Sequence, residues 1–248
     1  MNTPILPCFL ALSTLLSAGE HPLETNALRK PSLHTNGNCV IRDVTIHSAV
    51  APATRGDVWV RDGDIAAVGT ALEVPAGILV IDGTGKHLAP GVIDNHSHMA
   101  VDGSVNEGTL SITCDVDISD VLNPEDETIY RALAGGVTSA RLLHGSANAI
   151  GGRHEVIKLK WRRRPDELRF PGAKEGVKFA LGENPKQSNG GGGTRFPDSR
   201  MGVEALYFRA FSRAKEYADE WKAYEAAKAK GADPMPPRRD VRLEALRG

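Results

Sequence analysis

The chain has 248 residues, of which 41% are hydrophobic and 25% charged, as in ordinary globular proteins. This composition excludes a wholly disordered chain, and a net charge of −1 excludes a nucleic-acid binder of the simple basic kind. The first 150 residues are acidic on balance and the rest are basic, which indicates either an interaction tail or two parts in different surroundings. Cys8, Cys39 and Cys114 lack paired or metal-binding spacing, which favours buried free thiols over a bridge between Cys39 and Cys114.

The first 38 residues predict a leader and a linker. Residues 5–18 form an apolar run of the length found in export signals, although no Lys or Arg precedes it. We therefore expect a signal peptide over residues 1–19 and a periplasmic or secreted protein, with a cytoplasmic protein as the alternative. Residues 20–38 have no hydrophobic periodicity and predict a linker. No segment has the length of a membrane span.

Residues 39–90 predict a small β module. Short β-rich runs at residues 40–46, 58–68 and 78–81 are separated by turn residues. Asp62 and Gly63 lie between two alternating runs and predict a tight hairpin.

From residue 91 onward, the pattern predicts strands separated by helical or irregular connections, which is typical of parallel α/β construction. The predicted strands cover residues 92–93, 109–118, 136–147, 155–164 and 176–184. A helix is predicted from Asn123 or Pro124 to Gly135, and a long amphipathic helix from Asp198 or Ser199 to Gly231. A final helix begins near Asp240, and residues 189–193 predict a flexible glycine-rich loop.

The strongest chemical signal is the run from Asp94 to His98, directly after a predicted buried strand. His96 and His98 are two residues apart, so in an extended segment their side chains point to the same face and can hold one ion. Neutral imidazole is a good ligand for zinc and its neighbours. The pair lies at the C-terminal end of its strand, where barrel enzymes place their sites.

Residues 39–100 resemble the start of an amidohydrolase-superfamily enzyme, near the imidazolonepropionase-like metal-dependent hydrolases. The stretches DVWVRDGDIAAVG, IDGTGKHLAPG and GVIDNHSH carry the resemblance. It implies an α/β fold with a partial TIM-like (β/α) barrel, residues 91–248, preceded by a small β-sandwich module. It also implies that His96 and His98 bind a divalent metal, zinc foremost, as one or two ions.

Complete sites in this superfamily also use two later histidines and an aspartate. The last histidine of this chain is His154, and the residues after 90 fall short of the roughly 250 that a full barrel takes. We therefore expect the N-terminal part of a longer enzyme, with an incomplete site in this chain alone.

Five further residues are candidates for the site. The resemblance implies a carboxylate or a carboxylated lysine ligand, and we expect Glu183 at the end of a strand, with Lys178 as the alternative. A solvated acid and a paired or snorkelling lysine are the structural alternatives. His144 and His154 flank the segment SANAIGG and are expected to contact substrate, or else to be loop or buried imidazoles. Asp94 is expected to orient a ligand histidine.

The resemblance implies a metal-dependent hydrolase of a non-peptide carbon–nitrogen bond, such as that of a cyclic amide, in a small molecule. A deaminase in the full-length parent and a catalytically silent truncated module are the alternatives. Neither a nucleic acid nor a membrane span is expected, and the oligomeric state is not predicted.

Overall fold

A computed structural model describes residues 29–31, 33–187 and 195–247. The chain divides into two compact units, Met1–Ala89 and Pro90–Gly248. The predicted signal peptide, residues 20–28 of the predicted linker and the predicted loop at 189–193 lie outside the described residues. In the ranges that are described, no helix combines the length and apolarity needed to cross a membrane.

The first unit is built on a mixed five-stranded sheet. Its strands are β1 (Cys39–Ile46), β2 (Thr54–Arg61), β3 (Asp64–Gly69), β4 (Leu79–Asp82) and β5 (His87–Leu88). The order is β3-β2-β1-β4, and β5 also pairs with β1. β2 runs antiparallel to β1 and β3, whereas β4 and β5 run parallel to β1. The described residues of this unit contain one sheet, whereas a sandwich requires two.

The hairpin between β2 and β3 forms where it was predicted. Asp62 and Gly63 have φ angles of 54° and 88°. These left-handed conformations match the twist of a two-residue hairpin turn, and Asp-Gly adopts them readily.

The second unit begins with a β-α-β crossover. β6 (Val92–Ser97) runs parallel to β7 (Val137–Leu142), and α1 (Glu127–Ala134) connects them. α1 starts later than the predicted Asn123 or Pro124, because the Asp126 side chain accepts the N–H of Thr128 and caps the helix there. β7 pairs antiparallel with β9 (Glu155–Lys158), which departs from the predicted parallel arrangement. The core around this sheet consists of Ala100, Ile118, Ile129, Ala140, Leu142, Ile157, Leu159 and Leu168.

A second small sheet and the remaining helices complete this unit. β8 (Ile150–Arg153) pairs antiparallel with β10 (Val177–Phe179). The helices are α2 (Pro165–Leu168), α3 (Asn184–Gln187), α4 (Arg200–Ala229) and α5 (Val241–Leu246).

Helix α4 has the predicted ends. The Ser199 hydroxyl accepts the N–H of Gly202 at 3.1 Å, and Gly231 follows the helix with a φ of 80°. The apolar stripe that predicts this amphipathic helix in the sequence includes Phe211, but the side chain of Phe211 is 46% exposed because the covered face follows a different line along the helix. The buried residues of α4 are Gly202, Val203, Leu206, Ala210, Ala214 and Tyr217.

Residues 109–118 do not form the predicted strand. Isolated bridges join the segment to β8, at Ile112 with Ile150 and at Asp117 with Arg153. Thr113 and Cys114 are consecutive and both buried, so the two-residue period of a strand is broken between them.

The two described cysteines behave as the sequence predicted. Cys39 and Cys114 are free and buried. Burial raises the pKa of the Cys114 thiol to about 11, so this thiol is protonated and unreactive at neutral pH.

Candidate functional site

His96 and His98 meet at the C-terminal end of β6, where the sequence predicted them to converge. Their ring centroids are 5.3 Å apart and the rings are nearly perpendicular. Both side chains are exposed, whereas Ser97 between them is buried. The extended backbone therefore places both imidazoles on the open face of this strand end.

The ring of His98 is oriented by the backbone of the neighbouring strand. Its Nδ1 donates to the carbonyl oxygen of Leu143 at 2.8 Å. Leu143 directly follows β7, and its own N–H donates to the Ser97 carbonyl at 3.0 Å. With the proton on Nδ1, the Nε2 of His98 has a free lone pair, which is the state a metal ligand needs. Sequence reasoning did not identify Leu143, because a backbone carbonyl carries no residue-type signal.

The ring of His96 is in contact with Lys178. The ammonium Nζ of Lys178, in β10, donates to the Nε2 of His96 at 3.1 Å. The charge of Lys178 is the largest cause that lowers the pKa of His96, followed by burial and by His98, and Asp94 opposes them. Burial in turn lowers the pKa of Lys178. His96 is therefore a neutral imidazole at neutral pH.

Asp94 acts on the backbone of the site. Its Oδ1 accepts the main-chain N–H of His96 at 3.1 Å. Asp94 thus fixes the strand end that presents the pair, whereas the sequence prediction had it orient a ligand ring.

Glu183 does not join the histidine pair. Its carboxylate pairs with Lys186 at 2.5 Å and with Arg200 at 3.5 Å, and Lys186 is the main cause that lowers the pKa of Glu183. Among the described residues, no group of three or more His, Cys, Asp or Glu side chains could hold a metal ion. The predicted set of His96, His98 and Glu183 is therefore not assembled, and the alternative Lys178 contacts the pair instead.

His144 is buried behind the strand ends. Its Nε2 accepts the N–H of Glu107 at 2.8 Å, and its Nδ1 donates to the Gly145 carbonyl at 2.9 Å. Burial lowers its pKa, so the ring is neutral. Both nitrogens have partners within the protein, as in the alternative of a buried imidazole, and the ring as placed has no nitrogen left for a substrate.

His154 lies half-buried at the end of β8. Its N–H donates to the Gly176 carbonyl at 3.0 Å, and its Nε2 donates to the Lys174 carbonyl at 3.1 Å. These contacts hold the loop that precedes β10. The structure thus places His154 next to the segment that delivers Lys178, and its predicted contact with substrate stays a prediction.

Known proteins of similar sequence were found for this chain, although no family profile matches it. The chain is 35% identical to "Amidohydrolase tasK" from Hapsidospora irregularis, over 67% of this chain and 19% of that protein. It is 45% identical over 56 residues to an imidazolonepropionase from Geobacillus sp., over 20% of this chain and 13% of that protein.

A solved structure extends the similarity to the fold. The crystal structure of an amidohydrolase from Thermotoga maritima matches with a TM-score of 0.72 and 34% sequence identity. The match covers 84% of this chain and 54% of that chain. The chain therefore corresponds to part of the length of each of these relatives.

Proposed function

This chain is an amidohydrolase-superfamily sequence that spans part of its relatives, and we propose that it carries part of the site of a metal-dependent hydrolase. The bond cleaved is a non-peptide carbon–nitrogen bond, such as that of a cyclic amide, in a small molecule. The observation that carries the proposal is the pair of adjacent imidazoles, His96 and His98, on the open face at the end of β6. The likeness to an imidazolonepropionase supports the choice of bond.

The donor atoms of the pair suit a divalent metal ion, zinc foremost. His98 keeps its proton on Nδ1 and offers Nε2, and His96 offers the Nε2 that now accepts from Lys178. Zinc prefers such imidazole nitrogens, and its catalytic sites take three protein ligands. Lys178 is the nearest further candidate, and as a carbamate it would offer oxygen in place of a positive charge.

The remaining ligands are proposed to come from the portion of the relatives that this chain does not cover. We propose accordingly that Pro90–Gly248 is the N-terminal part of a (β/α) barrel and that the first unit is part of a β-sandwich. Val92 and Ile93 on β6 are 58% and 67% exposed, which supports a further element that covers this strand.

The chain's own residues supply binding and orientation. When bound, a divalent ion supplies Lewis acidity, which polarises the scissile group and lowers the pKa of a water molecule. The Leu143 carbonyl keeps the proton of His98 on Nδ1, so this ring stays aimed at the site. In its ammonium form, Lys178 donates to the Nε2 of His96 and favours the neutral state of that ring.

Zinc binding by the purified chain tests the proposal. Replacing both site histidines, His96→Ala with His98→Ala, removes the proposed ligands, so the zinc affinity is expected to fall by at least about tenfold. The matched control is His34→Ala, an exposed histidine of the first unit, which is expected to leave zinc affinity unchanged. Competition with a chromophoric chelator measures both. The comparison is made in a chain that also carries His47→Ala and His87→Ala, so that a second exposed histidine pair binds no zinc. Equal zinc affinity with and without His96 and His98 in that chain would refute the proposed site.

A further inference from the structure

A second pair of histidines lies in the first unit, and the proposed hydrolase site does not use it. His47 follows β1 and His87 begins β5. The Nε2 of His47 and the Nδ1 of His87 are 2.9 Å apart, and the ring centroids are separated by 5.1 Å. Both side chains are exposed.

The sheet itself brings the two rings together. β1 and β5 are parallel, with Thr45 opposite His87. The N–H of Thr45 donates to the Lys86 carbonyl at 3.0 Å, and the N–H of His47 donates to the Leu88 carbonyl at 2.8 Å. These bonds flank His87 on both sides along β5, so backbone pairing places His47 and His87 side by side on neighbouring strands.

We propose that His47 and His87 form a binding site for a divalent transition-metal ion, with Cu²⁺ preferred. Two bonds of about 2.0–2.1 Å at a right angle place the ligand nitrogens about 2.9 Å apart, whereas a tetrahedral angle would place them about 3.3 Å apart. The observed separation is 2.9 Å. The two nitrogens are therefore close enough to reach neighbouring positions on one ion, and among divalent first-row metals Cu²⁺ binds such nitrogen sites most tightly.

Metal binding replaces the hydrogen bond between the rings. The imidazole that donates this bond shifts its proton to its other nitrogen, so that both facing nitrogens have lone pairs for the ion. Because the side chains are exposed, each ring can rotate until its lone pair points to the ion. Two nitrogens bind to the metal, and water fills the other positions.

This pair differs electrostatically from the pair at the end of β6. The Nε2 of His96 accepts from the positively charged Lys178, which a cation would have to displace. In the first unit, by contrast, the facing nitrogens of His47 and His87 are hydrogen-bonded to each other. Cu²⁺ is therefore expected to bind to the His47–His87 pair first.

Copper titration of the full chain tests this site. With one equivalent of Cu²⁺, electron paramagnetic resonance is expected to show a tetragonal signal with coupling to two imidazole nitrogens. In His47→Ala and in His87→Ala, loss of a direct ligand should weaken binding by about tenfold or more. The His34→Ala control, and the double replacement His96→Ala with His98→Ala, are expected to retain the wild-type signal and affinity.

The variants separate this proposal from the hydrolase site. Circular dichroism checks that each variant keeps its fold. Copper affinity that is unchanged in His47→Ala and His87→Ala would overturn the proposal. So would wild-type protein without the two-imidazole signal, or loss of that signal in the His96→Ala, His98→Ala variant.

Discussion

The imidazole of His144 is enclosed by main chain and by two glycines of β8. A Cβ on Gly151 would lie 2.7 Å from its Nδ1, and a Cβ on Gly152 would lie 3.1 Å from its Cδ2. One ring nitrogen donates and the other accepts within the protein. His144 therefore ties the loop around Glu107 to the strand ends, in the neutral form that this bonding requires.

This neutral, buried ring makes stability depend on pH. Burial lowers the pKa of folded His144 below its ordinary 6.5, so under more acidic conditions the unfolded chain binds more protons. The contribution of the neutral His144 ring to the free energy of unfolding is thus fully present above about pH 6.5 and is lost as the pH falls below this value. In His144→Gln, the free energy of unfolding is expected to decline less steeply between about pH 7 and pH 5. Urea denaturation across this range measures it.

An exposed histidine provides the control for this titration. His34→Gln is expected to keep the wild-type dependence on pH, since His34 lies at the surface. An identical pH dependence in His144→Gln and the wild type would contradict the assignment of this effect to His144.

At the scale of elements, the parts that could be predicted are those set by local rules. The i, i+2 spacing of His96 and His98 follows directly from strand geometry. The Asp62-Gly63 turn and the Ser199 cap follow from the conformations and hydrogen bonds that these residue types favour.

The parts that could not be predicted depend on tertiary contacts. Glu183 follows β10 and forms an ion pair with Lys186, three residues later in the chain. This spacing is visible in the sequence, but it predicts a contact only where the segment is helical. Lys178 reaches His96 because β10 pairs antiparallel with β8, which periodicity does not reveal. Residues 109–118 alternate like a strand, but their burial follows contacts with β8.

The packing of β8 around His144 predicts the effect of a single methyl group. In Gly152→Ala, the new Cβ would lie 2.7 Å from a methyl of Val116 and 2.9 Å from its carbonyl oxygen, in addition to its contact with His144. Overpacking of this kind costs about 1–3 kcal/mol. Chemical denaturation should show this loss of stability. The control is Gly182→Ala, whose new Cβ meets nothing within 4 Å and is expected to cause no such loss. Equal stability of the two variants would contradict the packing described.

At the scale of the whole molecule, the two histidine pairs lie in different units. His47 and His87 belong to Met1–Ala89, and His96 and His98 belong to Pro90–Gly248. The second unit contains the β-α-β crossover and the imidazoles at the end of β6. The similarity to the Thermotoga maritima amidohydrolase covers 84% of the chain. We propose that a catalytic metal binds to His96 and His98 at the end of β6, and not to another group of the described residues.

Zinc K-edge X-ray absorption identifies the ligands of the bound ion. The measurement uses the chain with His47→Ala and His87→Ala, loaded with one equivalent of zinc. In this variant the histidine pair of the first unit cannot bind zinc or contribute to the scattering. We expect imidazole nitrogens at about 2.0–2.1 Å from zinc, and the loss of their outer-ring scattering when His96→Ala and His98→Ala are added. The same imidazole scattering with and without His96 and His98 would contradict this proposal.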